Sequence, residues 1–566
     1  MDKKQDLQKG WSLISESFIN AGVDYIFGLP GESISPIQYA VEKTPIRIIT
    51  ARHEQAATFM AEAYARMTGK PGVVLVTFGP GFTNTISAMV NAQMSNAPVI
   101  LIAGAHGTKS PERLGLQDMR QEPIIESIVK KSLVCRKAER IPEFIEMAFR
   151  IATQGRPGPV FLELPIDVLE ADVEMEQVKK THTKVLSRPI DLKDVALMME
   201  MIGNAKQPII MAGSGAFYSG AGVELTDFVN LSGIPAFTLK MGRGVISDMH
   251  PLCFGSSIPT VPGCSGVALS EADLVILLGN RLCLYTANGL FFNPNAKLIQ
   301  VDIEPEEIGR NKTIDLPIFG DIKALLEECN NTITLEGKSE NMKSRFHSWT
   351  ERLKQTDLDL KDAAQKEYVR DAVPINPGVL AREVDNFMDR ESDIIIADGG
   401  DAQTWVLETR TCRSELNVLD SGLFGCLGVG LPYGIAAKLI KPDRRVLVYT
   451  GDGSIGFNFM EIETSIRTGL PIVVVIDNNK KWGMTSNSMK MKFKHYVQGT
   501  VEIGNLPYHK AVEAIGGKGF LVEKAADIRP ALEEAFASGK TACINVMTDP
   551  DIIGPGSKAL ALFESL

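Results

Sequence analysis

The sequence predicts an α/β protein made of three open parallel-sheet domains, and three observations carry that expectation. At 566 residues the chain is too long for one hydrophobic core. Runs of about four to eight apolar and β-branched residues alternate with helical stretches, the rhythm of βαβ units whose strands are covered on both faces. Glycine-bearing loops follow several of these runs, and open α/β sheets hold their ligands at that end of a strand. The domains are expected at residues 1–180, 190–340 and 370–566, with a polar linker over residues 173–189 and a charged one over residues 338–377.

In the first domain a strand over residues 23–28 ends in Gly28-Leu29-Pro30-Gly31-Glu32. A strand over residues 46–51 feeds an amphipathic helix over residues 55–68. The strand at 73–77 is closed by Gly79-Pro80-Gly81, a helix follows over 83–94, and a further strand spans 99–103. Pro157-Gly158-Pro159 leads into a last strand over 160–164. The central domain carries apolar runs at 208–212, 236–238, 274–278 and 297–302. The third carries them at 393–397, 445–450, 472–477 and 542–546, in a rhythm similar to that of the first.

Composition narrows the function. Hydrophobic residues make up 44% and charged residues 23%, an ordinary globular balance. A net charge of −10 with no long basic run argues against nucleic acid or an anionic membrane as the main partner. A small anionic ligand stays open, because local charge decides that. The eight cysteines form no Cys-x-x-Cys, so neither a zinc site nor a thioredoxin-type pair is signalled. Buried free thiols fit a reducing compartment. The N-terminal stretch lacks a secretory apolar core and the apolar runs are too short to span a bilayer, so a cytoplasmic location is expected.

Two strand ends in the third domain carry the most chemistry. Gly451-Asp452-Gly453 follows one apolar run, and Asn478-Asn479 follows the next. Asp452 and Asn479 stand 27 positions apart, room for one helix between two strands. A carboxylate and an amide oxygen are hard ligands that suit Mg²⁺, which usually holds a phosphate as well. The pattern therefore asks for a phosphorylated cofactor. Gly-Asp-Gly, 24 residues and then Asn-Asn resembles the metal–diphosphate signature of thiamine diphosphate enzymes. By that resemblance Asp452 and Asn479 bind the metal through side chains and Lys481 through its backbone carbonyl.

Arg52-His53-Glu54-Gln55-Ala56-Ala57 stands after a strand and opens a helix. Alone, such a glutamate is an acid favoured by the helix macrodipole. In this company it resembles the activating glutamate of the same enzymes. The resemblance implies that Glu54 hydrogen-bonds a pyrimidine nitrogen and drives the neighbouring amino group toward its imino form, the base that deprotonates the thiazolium carbon. Gly422-Leu423-Phe424-Gly425-Cys426-Leu427-Gly428-Val429-Gly430 is a glycine-rich loop before a helix, and Leu427 matches the family's apolar prop that bends the cofactor. Asp398-Gly399-Gly400-Asp401-Ala402 ends another strand, where backbone amides would cradle a diphosphate. Further cofactor contacts are implied at Pro30, Gly79, Asn84, Gly400, Asp401, Ala402, Gly425, Gly453, Ser454, Trp482, Gly483 and Met484.

Local text bears on the reaction. Lys240-Met241-Gly242-Arg243-Gly244 and Val301-Asp302-Ile303-Glu304-Pro305 look like the acetolactate synthase branch. Leu116-Gln117 matches the benzaldehyde lyase pattern, in which that Gln contacts substrate. Glu32-Ser33 stands where benzaldehyde lyase carries Ala-His, and pyruvate decarboxylases carry an acid at the place of Glu32, so Glu32 is a candidate proton relay. Asn280-Arg281-Leu282-Cys283 replaces the Phe-Asp-Asp-Arg of the flavin region, which argues against FAD. The resemblance thus implies a thiamine diphosphate- and Mg²⁺-dependent carbon–carbon lyase or carboligase. It would act on a small carbonyl compound, as a homodimer or homotetramer with active sites between subunits. A 2-oxoacid or acyl-CoA decarboxylase or lyase of the same superfamily is the alternative. From another class, a non-catalytic regulatory relative would have no need to keep Glu54, Asp452, Asn479 and Leu427 together. Neither a Gly-x-x-x-x-Gly-Lys-Ser/Thr loop nor an opening Gly-x-Gly-x-x-Gly marks a plain nucleotide-binding protein.

Overall fold

The computed structural model describes residues 7–109, 113–179, 189–366, 368 and 370–564. Three six-stranded sheets organise them, each parallel throughout. In spatial order the first runs Arg47–Thr50, Tyr25–Gly28, Gly72–Val76, Val99–Ala105, Val160–Pro165, Lys131–Val134. The central sheet runs Cys253–Ser256, Ala236–Thr238, Pro208–Ala212, Leu274–Leu278, Lys297–Asp302, Leu316–Phe319. The third runs Val418–Asp420, Ile394–Ala397, Val446–Gly451, Val473–Asn478, Ala542–Met547, Lys518–Val522.

Counted within each domain, the first and third sheets share the strand order 2-1-3-4-6-5, whereas the central sheet is 3-2-1-4-5-6. In all three the chain leaves its first strand toward both edges. That reversal splays the loops apart and opens a crevice beyond the carboxyl ends of the strands.

The interior strands are apolar because helices cover both their faces. Leu274–Leu278 and Ile394–Ala397 are buried at every residue. Five strands of these three sheets escape the sequence reading: Lys131–Val134, Cys253–Ser256, Leu316–Phe319, Val418–Asp420 and Lys518–Val522. Each lies at a sheet edge. An edge strand is short or half-covered and needs no continuous apolar run. Lys131 is exposed, and of Lys518–Val522 only Val522 is buried.

Three other expectations are corrected. The helix Glu54–Thr68 is not amphipathic but buried on all sides from Ala56 to Met67. It lies between the first sheet and the third-domain helix Gly430–Ile440, with Phe59 edge-on to Tyr433. Its Glu62 and Arg66 turn to protein partners instead of solvent. Glu62 accepts from Asn91 at 2.9 and 3.0 Å, and Arg66 donates to the Asp420 carbonyl at 2.7 Å and to Tyr433 at 3.2 Å. The charged stretch 338–377 holds a long helix, Ser339–Lys366, which buries Phe346, Trp349 and Leu353 against the central domain. The polar stretch 173–189 begins within the strand Asp172–Glu174, which pairs antiparallel with Leu7–Lys9, and its residues 180–188 lie outside the described residues. Among the described residues no helix is long and apolar enough to cross a membrane.

Candidate active site

The crevice of the third sheet opens between the ends of Ile394–Ala397 and Val446–Gly451. A cavity of about 330 Å³ lies there. It gathers every residue expected at the metal end: Gly400, Asp401, Ala402, Gly425, Leu427, Asp452, Gly453, Ser454, Asn479, Lys481, Trp482, Gly483 and Met484. Two glycines are there because of what packs on them. A Cβ on Gly453 would stand 2.6 Å from the Trp482 ring, and one on Gly400 would meet the Met484 side chain at 2.9 Å.

Asp452 is the first residue after Gly451 and is 4% exposed. Its Oδ1 accepts from the Gly453 amide at 3.0 Å, while its Oδ2 is buried with no hydrogen-bond partner among the described residues. Burial, with the Asp477 carboxylate nearby, pushes its pKa up to about 7. An unpartnered buried carboxylate oxygen is costly unless a cation completes it. Asn479 is half-buried on the same wall, its Oδ1 accepting from the Lys481 amide at 3.0 Å. One carboxylate oxygen, one amide oxygen and a nearby backbone carbonyl are a donor set that fits Mg²⁺ with a diphosphate filling its other positions. Among the described residues no group of three or more His, Cys, Asp and Glu could hold a metal unaided.

Two carboxylates organise this end. Asp398, fully buried, accepts from Ser454 Oγ at 2.6 Å, from the amides of Gly428 and Gly430 at 3.1 Å, and from Thr450 Oγ1 at 3.2 Å. It ties the strand end, the loop bearing Leu427 and the start of the next helix to one point. The sequence reading named it only as the start of the Asp398–Ala402 motif and gave its side chain no role; the signal was an acid directly before two glycines. Asp401, read as a cofactor contact, uses its carboxylate elsewhere. It accepts from Ser557 Oγ at 2.9 Å, the Ser557 amide at 3.2 Å and Asn487 at 2.9 Å, and so pins the helix Pro555–Glu564 beside the cavity.

Glu54, Asn84, Gly79, Gln117, Pro30 and Glu32 do not line this cavity. They sit at the corresponding end of the first sheet. Glu54 is the first residue of its helix, behind the His53 cap, and its Oε2 accepts from Asn84 Nδ2 at 2.9 Å. Gly81 packs beside it, leaving 3.5 Å between Glu54 Oε1 and an added Cβ. Gly79, at φ +67°, meets the Gln117 carbonyl so closely that a Cβ would stand 2.7 Å from it. Pro30, Glu32 and Gln117 are exposed. Within one chain the first and third domains meet here through Arg52, whose amide donates to Glu461 at 2.9 Å and whose guanidinium pairs with Glu463 at 2.7 Å. The chain therefore presents two separate clusters of the expected site residues, one around the Glu54 carboxylate and one around Asp452 and Asn479.

A larger cavity, about 570 Å³, opens at the strand-order reversal of the central sheet and was not anticipated as a site. Gly213, Gly215, Gly279, Arg281 and Asp302 line it from the central domain. Burial pushes Asp302 up to about 6. Arg66, Lys240, Asp420 and Gly422 close its inner side.

Comparison with known proteins agrees with this geometry. The profile of the thiamine pyrophosphate enzyme N-terminal TPP binding domain matches residues 8–124, the central domain matches 195–329 and the C-terminal TPP binding domain matches 398–546. A probable acetolactate synthase large subunit of Methanococcus aeolicus is 32% identical, over 96% of this chain and 93% of its own length. A 2-hydroxyacyl-CoA lyase of Arabidopsis thaliana is 29% identical over 95% of each chain. Homo sapiens 2-hydroxyacyl-CoA lyase 1 is 30% identical, over 97% of this chain and 96% of its own length.

Proposed function

The chain belongs to the thiamine pyrophosphate enzyme family, and from that premise we propose a Mg²⁺-dependent carbon–carbon lyase or carboligase acting on a 2-oxoacid or 2-hydroxyketone, in the manner of acetolactate synthase or benzaldehyde lyase. The observation that carries the reading is Asp452 Oδ2, a buried carboxylate oxygen without a partner in a cavity walled by Gly453, Asn479, Trp482 and Leu427. When bound, thiamine diphosphate supplies a nucleophilic thiazolium carbon and an electron sink for a bond beside a carbonyl.

The residues divide the remaining work. Asp452, Asn479 and the Lys481 carbonyl hold the metal and through it the diphosphate. The backbone from Gly400 to Ala402, with Gly453 and Ser454, cradles the phosphates. Leu427 would press on the cofactor from the cavity wall. Glu54, oriented by Asn84, holds the proton on the pyrimidine nitrogen. Gln117 and Glu32, both exposed at the same end, orient the carbonyl substrate and relay its proton. Because Glu54 and the metal seat lie in separate places on one chain, two copies complete each site, and the enzyme is at least a homodimer. Eight free cysteines support a reducing, cytoplasmic setting. The central cavity suits a nucleotide-sized ligand, with Asn280-Arg281-Leu282-Cys283 speaking against FAD.

A second reading, with a 2-hydroxyacyl-CoA donor, is favoured by the two lyase relatives. A product screen with pyruvate, benzoin, aromatic 2-oxoacids and a 2-hydroxyacyl-CoA separates the two. Acetolactate or benzaldehyde supports the first, and an aldehyde with formyl-CoA supports the second. No turnover of any donor by protein loaded with thiamine diphosphate and Mg²⁺ supports a regulatory relative.

A further inference from the structure

Lys240 combines features that seldom meet without a reason. It carries φ +52°, a left-handed backbone that strains a non-glycine residue. Its side chain is only 13% exposed, in the wall of the central cavity. Its Nζ lies 2.8 Å from Asp420 Oδ2 and 3.5 Å above the Tyr285 ring. Lys240 and Tyr285 belong to the central domain. Asp420 ends the edge strand Val418–Asp420 of the third.

The loop that bears Leu427 begins directly after Asp420. Three contacts bind its first residues. Asp420 Oδ1 accepts from the Gly422 amide at 2.8 Å, Tyr285 Oη donates to the Gly422 carbonyl at 3.2 Å, and Ser421 Oγ donates to Gln403 at 2.9 Å. The far end is fixed by the Gly428 amide on Asp398 and Ser454. Leu427 is half-exposed between these anchors. One end of the prop loop is thus held by its own domain, and the other is clasped by a neighbouring domain.

We propose that Lys240 is a positioning residue for the Leu427 loop, acting with Tyr285 through Asp420 and Gly422 from across the domain boundary. Lys240 neutralises one oxygen of the Asp420 carboxylate and holds that carboxylate in place to receive the Gly422 amide with the other. Arg66 reinforces the same carboxylate from the first domain, its Nη2 at 3.9 Å from Oδ1. Desolvation, the largest single effect, works against the ammonium, but Asp420 and Tyr285 together more than offset it and raise its pKa.

The role of Leu427 rests on the thiamine reading, but the clasp does not, and the test separates the two. Backbone amide exchange over residues 421–428 is measured on the full-length protein without cofactor, for wild type, Lys240→Met, Lys240→Arg and Tyr285→Phe. Lys240→Met should raise exchange in that segment at least tenfold while leaving residues 394–397 unchanged, and Lys240→Arg should restore most of the protection. Tyr285→Phe, which removes one hydrogen bond and no charge, should give a smaller rise in the same segment, and it decides the matter if Lys240→Met does not fold. Wild-type exchange in both Lys240→Met and Tyr285→Phe overturns the clasp, as does a uniform rise across the whole domain. Calorimetric titration with thiamine diphosphate and Mg²⁺ is the second readout, and Lys240→Met should bind about tenfold more weakly. If wild type itself binds none, the functional reading fails while the exchange result still judges the clasp.

Discussion

The first and third domains are built on one plan and used for opposite purposes. Their sheets share a strand order, so their loops fall in matching slots. After the first strand stand Pro30-Gly31-Glu32 in one and Gly399-Gly400-Asp401 in the other. The second strand is followed by Glu54 in one and by the loop to Leu427 in the other, and the helices that follow, Glu54–Thr68 and Gly430–Ile440, pack on each other. After the third strand come Gly79–Asn84 and Asp452–Ser454. The topology decides where a ligand can lie, and loop content decides what the place can do. One copy offers an acid able to hold a proton. The other offers a buried carboxylate, an amide oxygen and the Leu427 side chain around one cavity, the groups that the proposed function assigns to a metal and a wedge.

The sharpest break of this division is Glu54→Gln. Turnover should fall about 10³-fold, within the range for a lost general acid–base group, with an unchanged far-ultraviolet spectrum and melting temperature. Near-native activity would remove the first domain from the chemistry.

Asp452 tests the other half. Thiamine diphosphate with Mg²⁺ should raise the melting temperature of wild type by several degrees and leave Asp452→Ala unmoved. The pH dependence has a definite sign. With a folded-state pKa of about 7 against an ordinary value of 3.8, the metal-free folded protein keeps a proton that the unfolded chain has lost. Its stability therefore declines from about pH 4 to about pH 7 on account of this group, and Asp452→Asn should flatten the decline. Apparent Mg²⁺ affinity should rise about tenfold per pH unit over the upper part of that range and level off above pH 7. Affinity that is flat from pH 5 to 8 would mean Asp452 is not a ligand.

Two smaller effects sharpen the roles within the third domain. Leu427→Ala should lower kcat by about 10–100-fold, the cost of a misplaced reacting group, with little change in cofactor affinity. An equal loss in both would make it a binding residue and not a wedge. Ser454→Ala deletes the 2.6 Å bond to Asp398 and the 3.0 Å bond from the Gly428 amide, and should cost about 1–3 kcal/mol in denaturant unfolding.

The comparison also shows what could be read from the chain. Interior strands and strand-end glycines were legible because burial on both faces demands unbroken apolar runs and close approach demands glycine. The walls of the third-domain cavity were legible for the same reason, since Asp452 and Asn479 lie close in sequence at the ends of adjacent strands. Edge strands such as Lys518–Val522 were not, because half of each faces solvent. Asp398, Asp420 and Lys240 were hidden because their meaning lies in partners far along the chain. The sequence marks Lys240 only as the first residue of a family-like motif, and the fold sets its side chain over Tyr285. The helix Glu54–Thr68 misled outright, because its charged face is covered by a domain that periodicity cannot anticipate.

That helix also bears on how the protein is made. Arg66 must wait 367 residues for Tyr433, although Glu62 on the same helix finds Asn91 within the first domain. A chain emerging from the ribosome can pair the strands of its first sheet early, but it carries an uncovered apolar helix until nearly four-fifths of the protein has been translated. Synthesis thus passes through a long interval in which the growing chain is sticky and protease-sensitive. Pauses in translation before residue 430 should lower the yield of folded protein more than pauses after residue 440.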